Sequence, residues 1–403
     1  MATENKTEVD SLLKEIEQYN KRQKKDENKI KITTGDKVGS WTFIRTGIPG
    51  FDHAYGGIPM GRYIIVWGSQ NSGKTTFVLN AMAAVQRTGR KVLYIPTEGV
   101  YDKLYAALNG VDIKNLLVLE EKYLGKATES VARLIREHKV DLVVFDSINM
   151  LLSEEVDAKK TWEDTMGVDA KRITIMLKKV TGDMQKHNIG VIIVGQVRAE
   201  ISQGFSTGPS EVLRGGHALL HMPTYIIHTR KPSTALIRGT GAFMKENSLT
   251  GFAFRCEKSK SLLIREFTSD NTDIPVSFFN PRGLDKERTM FEYAIKMKVI
   301  TQRGANYTFH DNITDEDITH LGENKFVDAM VADPSLFRKI YDQTWQARVE
   351  EVSAKTGIPK SIIDENINII DPFAIGGTDT DTEVPEQGGE DAASDSESQD
   401  KED

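Results

Sequence analysis

The sequence predicts an α/β protein built on a mainly parallel sheet. Three observations carry that expectation. From Trp41 to about Asn280, short apolar runs alternate with helical patterns, the order that gives parallel strands joined by helical crossovers. A glycine-bearing turn, Gly68–Thr75, lies between an apolar run and a helical one. A second apolar run, Leu142–Phe145, ends in an acid, Asp146, and open α/β sheets gather ligands beyond the carboxyl ends of their strands.

At 403 residues the chain has length for two or three domains. Residues 1–35 carry Val9, Leu12, Leu13, Ile16 and Tyr19 at helical spacing among charges. One short amphipathic helix cannot bury its own stripe, so this segment is expected to pack on its body or on a neighbour, with an oligomerisation helix the expectation adopted. Residues 36–280 form the expected core. Tyr63–Trp67, Lys91–Ile95, Asp141–Phe145 and Val191–Val194 read as buried strands, and Thr75–Arg87, Ser130–His138 and Val168–His187 as helices. Residues 281–370 form a small, mostly helical C-terminal α/β domain, and 371–403 a disordered acidic tail. From Thr378 to Asp403 stand eleven Asp or Glu and one Lys, a net of −10, so the rest of the chain carries +3 of the total of −7. Such a tail reads either as a solubilising segment or as one that competes with a polyanion for the mildly basic body.

No apolar run approaches the ~20 residues that span a bilayer, so no membrane contact is expected. The polar N-terminal stretch is not expected to act as a secretory signal. The single cysteine, Cys256, excludes a disulfide framework and a multi-cysteine metal site. A cytoplasmic protein is the expectation.

Gly68-Ser69-Gln70-Asn71-Ser72-Gly73-Lys74-Thr75 fits G-x-x-x-x-G-K-[ST], after the apolar strand Ile64–Trp67 and ahead of a helix that continues through Thr76. Glycines let successive backbone N–H groups turn toward phosphate oxygens, and the helix N-terminus adds its positive end. Lys74 is expected to reach the β- and γ-phosphates of ATP, and Thr75 to hold Mg²⁺. Asp146, at the carboxyl end of its strand, is the second expected metal group. Glu98 follows the strand Val92–Ile95 and emerges at the same edge, where a carboxylate can orient water and take its proton.

These pieces resemble the RecA recombinase family. The match runs through Gly57–Arg62, the P-loop, Thr97-Glu98, Tyr105-Ala106, Gly110–Asp112, Met166-Gly167, Gly195–Arg198, Gly215–Leu219 and Glu257–Lys260, across about residues 40 to 345. The segment from Phe291 through Asn324 is similar to the family's small C-terminal domain. The resemblance implies a RecA-type P-loop ATPase core. It gives Glu98 the activation of the hydrolytic water, Asp102 and Tyr105 the adenine, and Gln196 the sensing of the γ-phosphate. It has Lys258 and Lys260 reach ATP on the neighbouring subunit, which requires a homo-oligomeric helical filament.

The resemblance also implies two DNA-contacting loops, about 153–165 and 200–214. Met166 and Ile201 match side chains that wedge between bases of stretched DNA. Gly167, Lys171, Arg172, Lys178, Arg198, Phe205, Arg214, Gly215 and Gly216 complete the expected DNA surface. Lys171 and Lys178 lie about two helical turns apart, on one face. The stretch Glu154–Lys160 departs from the bacterial pattern, and Gly216–His221 is closer to the archaeal and eukaryotic members. The function implied is an ATP-dependent recombinase that binds single- and double-stranded DNA and performs homologous pairing and strand exchange. A hexameric helicase and a non-recombinogenic regulatory ATPase share the fold. The RecA-like C-terminal region and the paired loops speak against both.

Overall fold

A computed structural model describes residues 2–23, 41–97, 101–151, 166–200, 210–213, 216–230, 249–259, 274–279 and 283–373. The chain runs α1 (Ala2–Lys21), β1 (Trp41–Ile44), α2 (Pro49–Tyr55), β2 (Ile58–Pro59), β3 (Tyr63–Gly68), α3 (Lys74–Arg87), β4 (Val92–Pro96), α4 (Lys103–Leu108), β5 (Leu116–Val118) and α5 (Leu124–Arg136). Next come β6 (Leu142–Asp146), α6 (Met166–Lys186), β7 (Gly190–Glu200), β8 (Ser210–Leu213), α7 (Gly216–His221), β9 (Tyr225–Arg230), β10 (Leu249–Ser259), β11 (Ile274–Phe279) and β12 (Gly283–Leu284). The C-terminal region adds α8 (Lys286–Lys296), β13 (Ile300–Arg303), β14 (Asn306–Asp311), β15 (Glu316–Leu321), α9 (Glu323–Ala332), α10 (Pro334–Thr356), α11 (Lys360–Asn366) and β16 (Ile367–Ile370).

The main sheet has the order β12-β11-β10-β9-β3-β7-β6-β4-β5. Its six strands from β9 to β5 are mutually parallel, while β10, β11 and β12 continue it antiparallel. Successive strand residues face opposite sides. Ile64, Val66, Val144 and Ile192 therefore pack with Phe77, Val78 and Met82 of α3. Ile65, Val143 and Ile193 pack with Val131 and Ile135 of α5 and Ile173, Met176 and Leu177 of α6. Burial on both faces is why these strands read as continuous apolar runs.

Three elements differ from the sequence expectation. Helix α5 starts at Leu124 rather than Ser130, and its buried stripe is Leu124, Ala127, Thr128, Val131, Ala132 and Ile135. Gly125 and Thr128, weak helix formers, hide the first turns from a propensity reading. Strand β7 runs to Glu200, because Val197–Glu200 pairs antiparallel with β8. Ser210–Leu213, expected as loop, is thus strand, paired with Val197–Glu200, and its own four residues carry no apolar run. The C-terminal region is mostly helical with strands, as expected of the small α/β domain, and three of its strands form an antiparallel sheet, β13-β14-β15. One face of that sheet is exposed and polar, with Thr308 bonded to Thr319 at 2.8 Å, so its strands carry little apolar signal.

The C-terminal segment returns to the core. Strand β16 lies parallel to β1, with Trp41 opposite Ile367 and Ile44 opposite Ile370. Asp371 follows and accepts from Arg45 at 2.8 Å and from Arg338 at 2.6 Å. The Arg45 guanidinium also sits 4.7 Å from the Tyr341 ring centroid. Below this clasp, Asp52 is fully buried and accepts from Thr46 N, Gly47 N and the Thr46 hydroxyl. In α1, none of the side chains described from Ser11 onward is buried, and Leu12 and Tyr19 are about half exposed.

Candidate functional site

The strand-turn-helix of the P-loop forms as expected. Gly73 takes a left-handed conformation, φ 89°, at the start of α3, where a side chain would be strained. Gly68 is needed for space, since a Cβ there would run into the Thr229 carbonyl. Register puts Gly68 between Gln196 on β7 and Thr229 on β9. The buried Thr229 hydroxyl donates to the Trp67 carbonyl at 3.1 Å and meets the Ser72 hydroxyl at 2.7 Å. It therefore ties both the entry and the middle of the loop to the sheet.

Lys74 donates to the carbonyls of Gly68 and Ser69 at 3.0 and 2.8 Å, so its ammonium lies over the loop's own concavity. The Thr75 hydroxyl approaches Asp146 Oδ2 at 3.4 Å. Asp146 ends β6 opposite Pro96 of β4 and is 5% exposed. A hydroxyl and a carboxylate meeting beside a phosphate loop are the hard oxygen ligands that suit Mg²⁺; these residues fit that ion.

Asp146 has two further supports that the sequence reading did not single out. The Tyr94 phenol donates to its Oδ2 at 3.0 Å, and Thr97 N donates to its backbone carbonyl at 2.7 Å. A tyrosine within an otherwise aliphatic buried strand was the available signal, since a buried phenol calls for an acceptor. Thr97 leads directly to Glu98, which lies outside the described residues.

In the first turn of α3, next to Thr75, Thr76 shares a hydroxyl–hydroxyl bond of 2.5 Å with Tyr105. Asp102 caps α4, accepting from Leu104 N and Tyr105 N. The cap fixes where α4 begins, and so where Tyr105 sits beside α3.

The expected DNA-contacting residues are only partly described. Lys171 and Lys178 are exposed on α6, with Arg172 half-buried. Met166 and Gly167 open that helix, Arg198 lies on β7 and Gly216 opens α7. Lys258 lies on β10, opposite Ile226, just past a register shift. Ile201, Phe205, Arg214, Gly215 and Lys260 fall outside the described residues, as does the expected first loop. No helix among the described residues is long and apolar enough to cross a membrane.

Comparison with known proteins extends the match beyond the P-loop. The RecA N-terminal domain profile matches residues 9–264. Protein RecA of Prochlorococcus marinus (strain NATL1A) is 33% identical over 286 residues, covering 70% of this chain and 72% of the relative. Protein RecA of Mycoplasma mobile is 30% identical over 308 residues, 76% and 87% of the two chains. Protein RecA of Mycoplasma genitalium is 28% identical over 305 residues, 75% and 84%. With its parallel six-stranded core, its phosphate loop and this family profile over more than half its length, the chain belongs to the RecA family.

Proposed function

We propose that this chain is an ATP-dependent recombinase that assembles as a helical filament on single-stranded DNA and carries out homologous pairing and strand exchange. The observation that carries the reading is one juxtaposition inside a RecA-family chain. The Gly68–Thr75 loop stands beside Asp146, and Gln196 lies in register with the loop's first glycine. That arrangement suits a triphosphate whose terminal phosphate is felt by the strand leading to a DNA-contacting loop.

In this reading Lys74 and the loop N–H groups bind the β- and γ-phosphates, and Tyr105 and Asp102 hold the adenine. Thr75 and Asp146 hold Mg²⁺, which would neutralise phosphate charge. Glu98 orients the attacking water and accepts its proton. Gln196 transmits loss of the γ-phosphate along β7 toward residues 201–209. Lys258 and Lys260 serve the site of the next subunit. Exposed Lys171 and Lys178 meet the DNA backbone, while Met166 and Ile201 wedge between bases at an unstacking cost that phosphate contacts must offset. The half-exposed apolar residues of α1, Leu12 and Tyr19, suit docking on a neighbouring copy.

The test is ATP hydrolysis with and without single-stranded DNA, followed by strand exchange between a circular single strand and a homologous linear duplex. Stimulated hydrolysis together with joint-molecule formation supports the proposal. DNA-stimulated hydrolysis with no joint molecules under saturating protein and ATP would point instead to a RecA-fold motor of another kind.

A further inference from the structure

Tyr94 belongs to none of the motifs that mark the nucleotide site, yet it holds the carboxylate on which that site depends. It sits in the middle of β4 among Val92, Leu93 and Ile95 and is 5% exposed. In the sheet register Tyr94 stands opposite Val144 and Pro96 opposite Asp146. Tyr94 and Asp146 are therefore diagonal neighbours on one face of adjacent strands, within reach of a long side chain. That face is the one covered by α3, since Tyr94 packs in the same cluster as Phe77 and Met82. The phenol donates to Asp146 Oδ2 at 3.0 Å, and the Thr75 hydroxyl reaches the same oxygen at 3.4 Å. The Tyr101 ring, 5.6 Å away at 60°, packs against the Tyr94 ring.

We infer that Tyr94 is a positioning residue for the metal-binding carboxylate of Asp146. The inference rests on the reading of Asp146 as a Mg²⁺ group. A short acidic side chain at a strand end can turn about its own bonds. A phenol anchored in the buried sheet holds one of its oxygens and thereby sets its direction before metal and nucleotide arrive. Outer partners of this kind tune metal affinity by about 10–100-fold in other sites. Tyr94 touches neither nucleotide nor water in this scheme; it acts only through Asp146.

Tyr94→Phe removes the phenolic oxygen and keeps the ring, so its packing against Tyr101 and α3 survives. In the full-length protein, the Mg²⁺ concentration that half-saturates ATP hydrolysis rises about tenfold in this variant. Mn²⁺ binding in the presence of ADP, read by electron paramagnetic resonance, weakens by a similar factor. Affinity for a fluorescent ATP analogue in EDTA stays unchanged, as does the turnover number at saturating Mg²⁺. Asp146→Asn, measured alongside, loses most of its response to the metal. If Asp146→Asn shifts the metal dependence and Tyr94→Phe does not, the inference is overturned while the site reading stands. If Asp146→Asn leaves metal dependence intact, the site reading falls and takes the inference with it. Equal loss of nucleotide affinity in EDTA and in Mg²⁺ would reduce Tyr94 to a packing residue and also overturn the inference.

Discussion

Lys74 is the only cation in the eight-residue loop, and its ammonium bridges two carbonyls of that loop. Lys74→Ala should sharply weaken ATP binding and abolish turnover, measured by titration with a fluorescent analogue and by phosphate release. Near-parental hydrolysis would overturn the phosphate-site assignment. A second residue-scale expectation concerns Glu292 on α8. Burial lifts its carboxyl to about 7, Arg288 opposes the shift, and Glu323 and Asp285 add to it. Its folded pKa lies above the unfolded value of 4.5, so the stability it allows is whole below that value. It is lost as pH rises through about 7. Glu292→Gln should therefore match the parent in thermal unfolding near pH 4.5 and exceed it at about pH 8. An equal offset at both pH values would contradict the burial argument. The contiguous residues of the loop were legible because one short pattern encodes them. Thr229, which bonds to Ser72 across 157 positions, and Tyr94, which meets Asp146 across 52, were not. Such partners are chosen by strand register, and register is invisible in local sequence.

Four of the six parallel strands, β3, β4, β6 and β7, were legible as elements for the reason that makes them stable: two buried faces give unbroken apolar runs. Elements with one exposed face or a distant partner were not. β8 is read only through β7, and β16 only through β1. Strand β16 gives the element-scale prediction. It is followed directly by Asp371, whose carboxylate is 12% exposed and pairs with Arg45 at 6% and Arg338 at 25%. Position 371, expected at the start of the tail, ties β16 to Arg45 and Arg338. Asp371→Ala leaves the buried Arg45 guanidinium without this carboxylate and should cost on the order of 3 kcal/mol. Urea unfolding monitored by tryptophan fluorescence reads this, since Trp41 and Trp345 lie beside the clasp. A loss near zero would mean that the return of the C-terminal segment does not depend on the ion pairs.

Across the whole molecule, charge and assembly carry the account. Deleting Thr378–Asp403 removes a net of −10 and takes the formal charge from −7 to +3. Affinity for DNA depends on phosphates neutralised by Lys and Arg, so the truncated chain should bind duplex DNA more tightly, with ATP hydrolysis in the absence of DNA little changed. Superimposable binding curves across a salt series would remove the tail from this account. The family and the nucleotide half of the site were legible because the RecA-like pieces keep their order and spacing along the chain. The expected filament rests on the resemblance alone, because one chain carries only one side of each contact: the exposed apolar residues Leu12 and Tyr19 of α1 do not say what covers them. The central claim is the proposal that this RecA-family chain works as an ATP-hydrolysing filament on single-stranded DNA. Electron microscopy of the full-length protein with single-stranded DNA, Mg²⁺ and a slowly hydrolysed ATP analogue tests it most directly. The account predicts continuous helical filaments that shorten or disperse when ADP replaces the analogue; discrete closed rings, or free monomers on bare DNA, would contradict it.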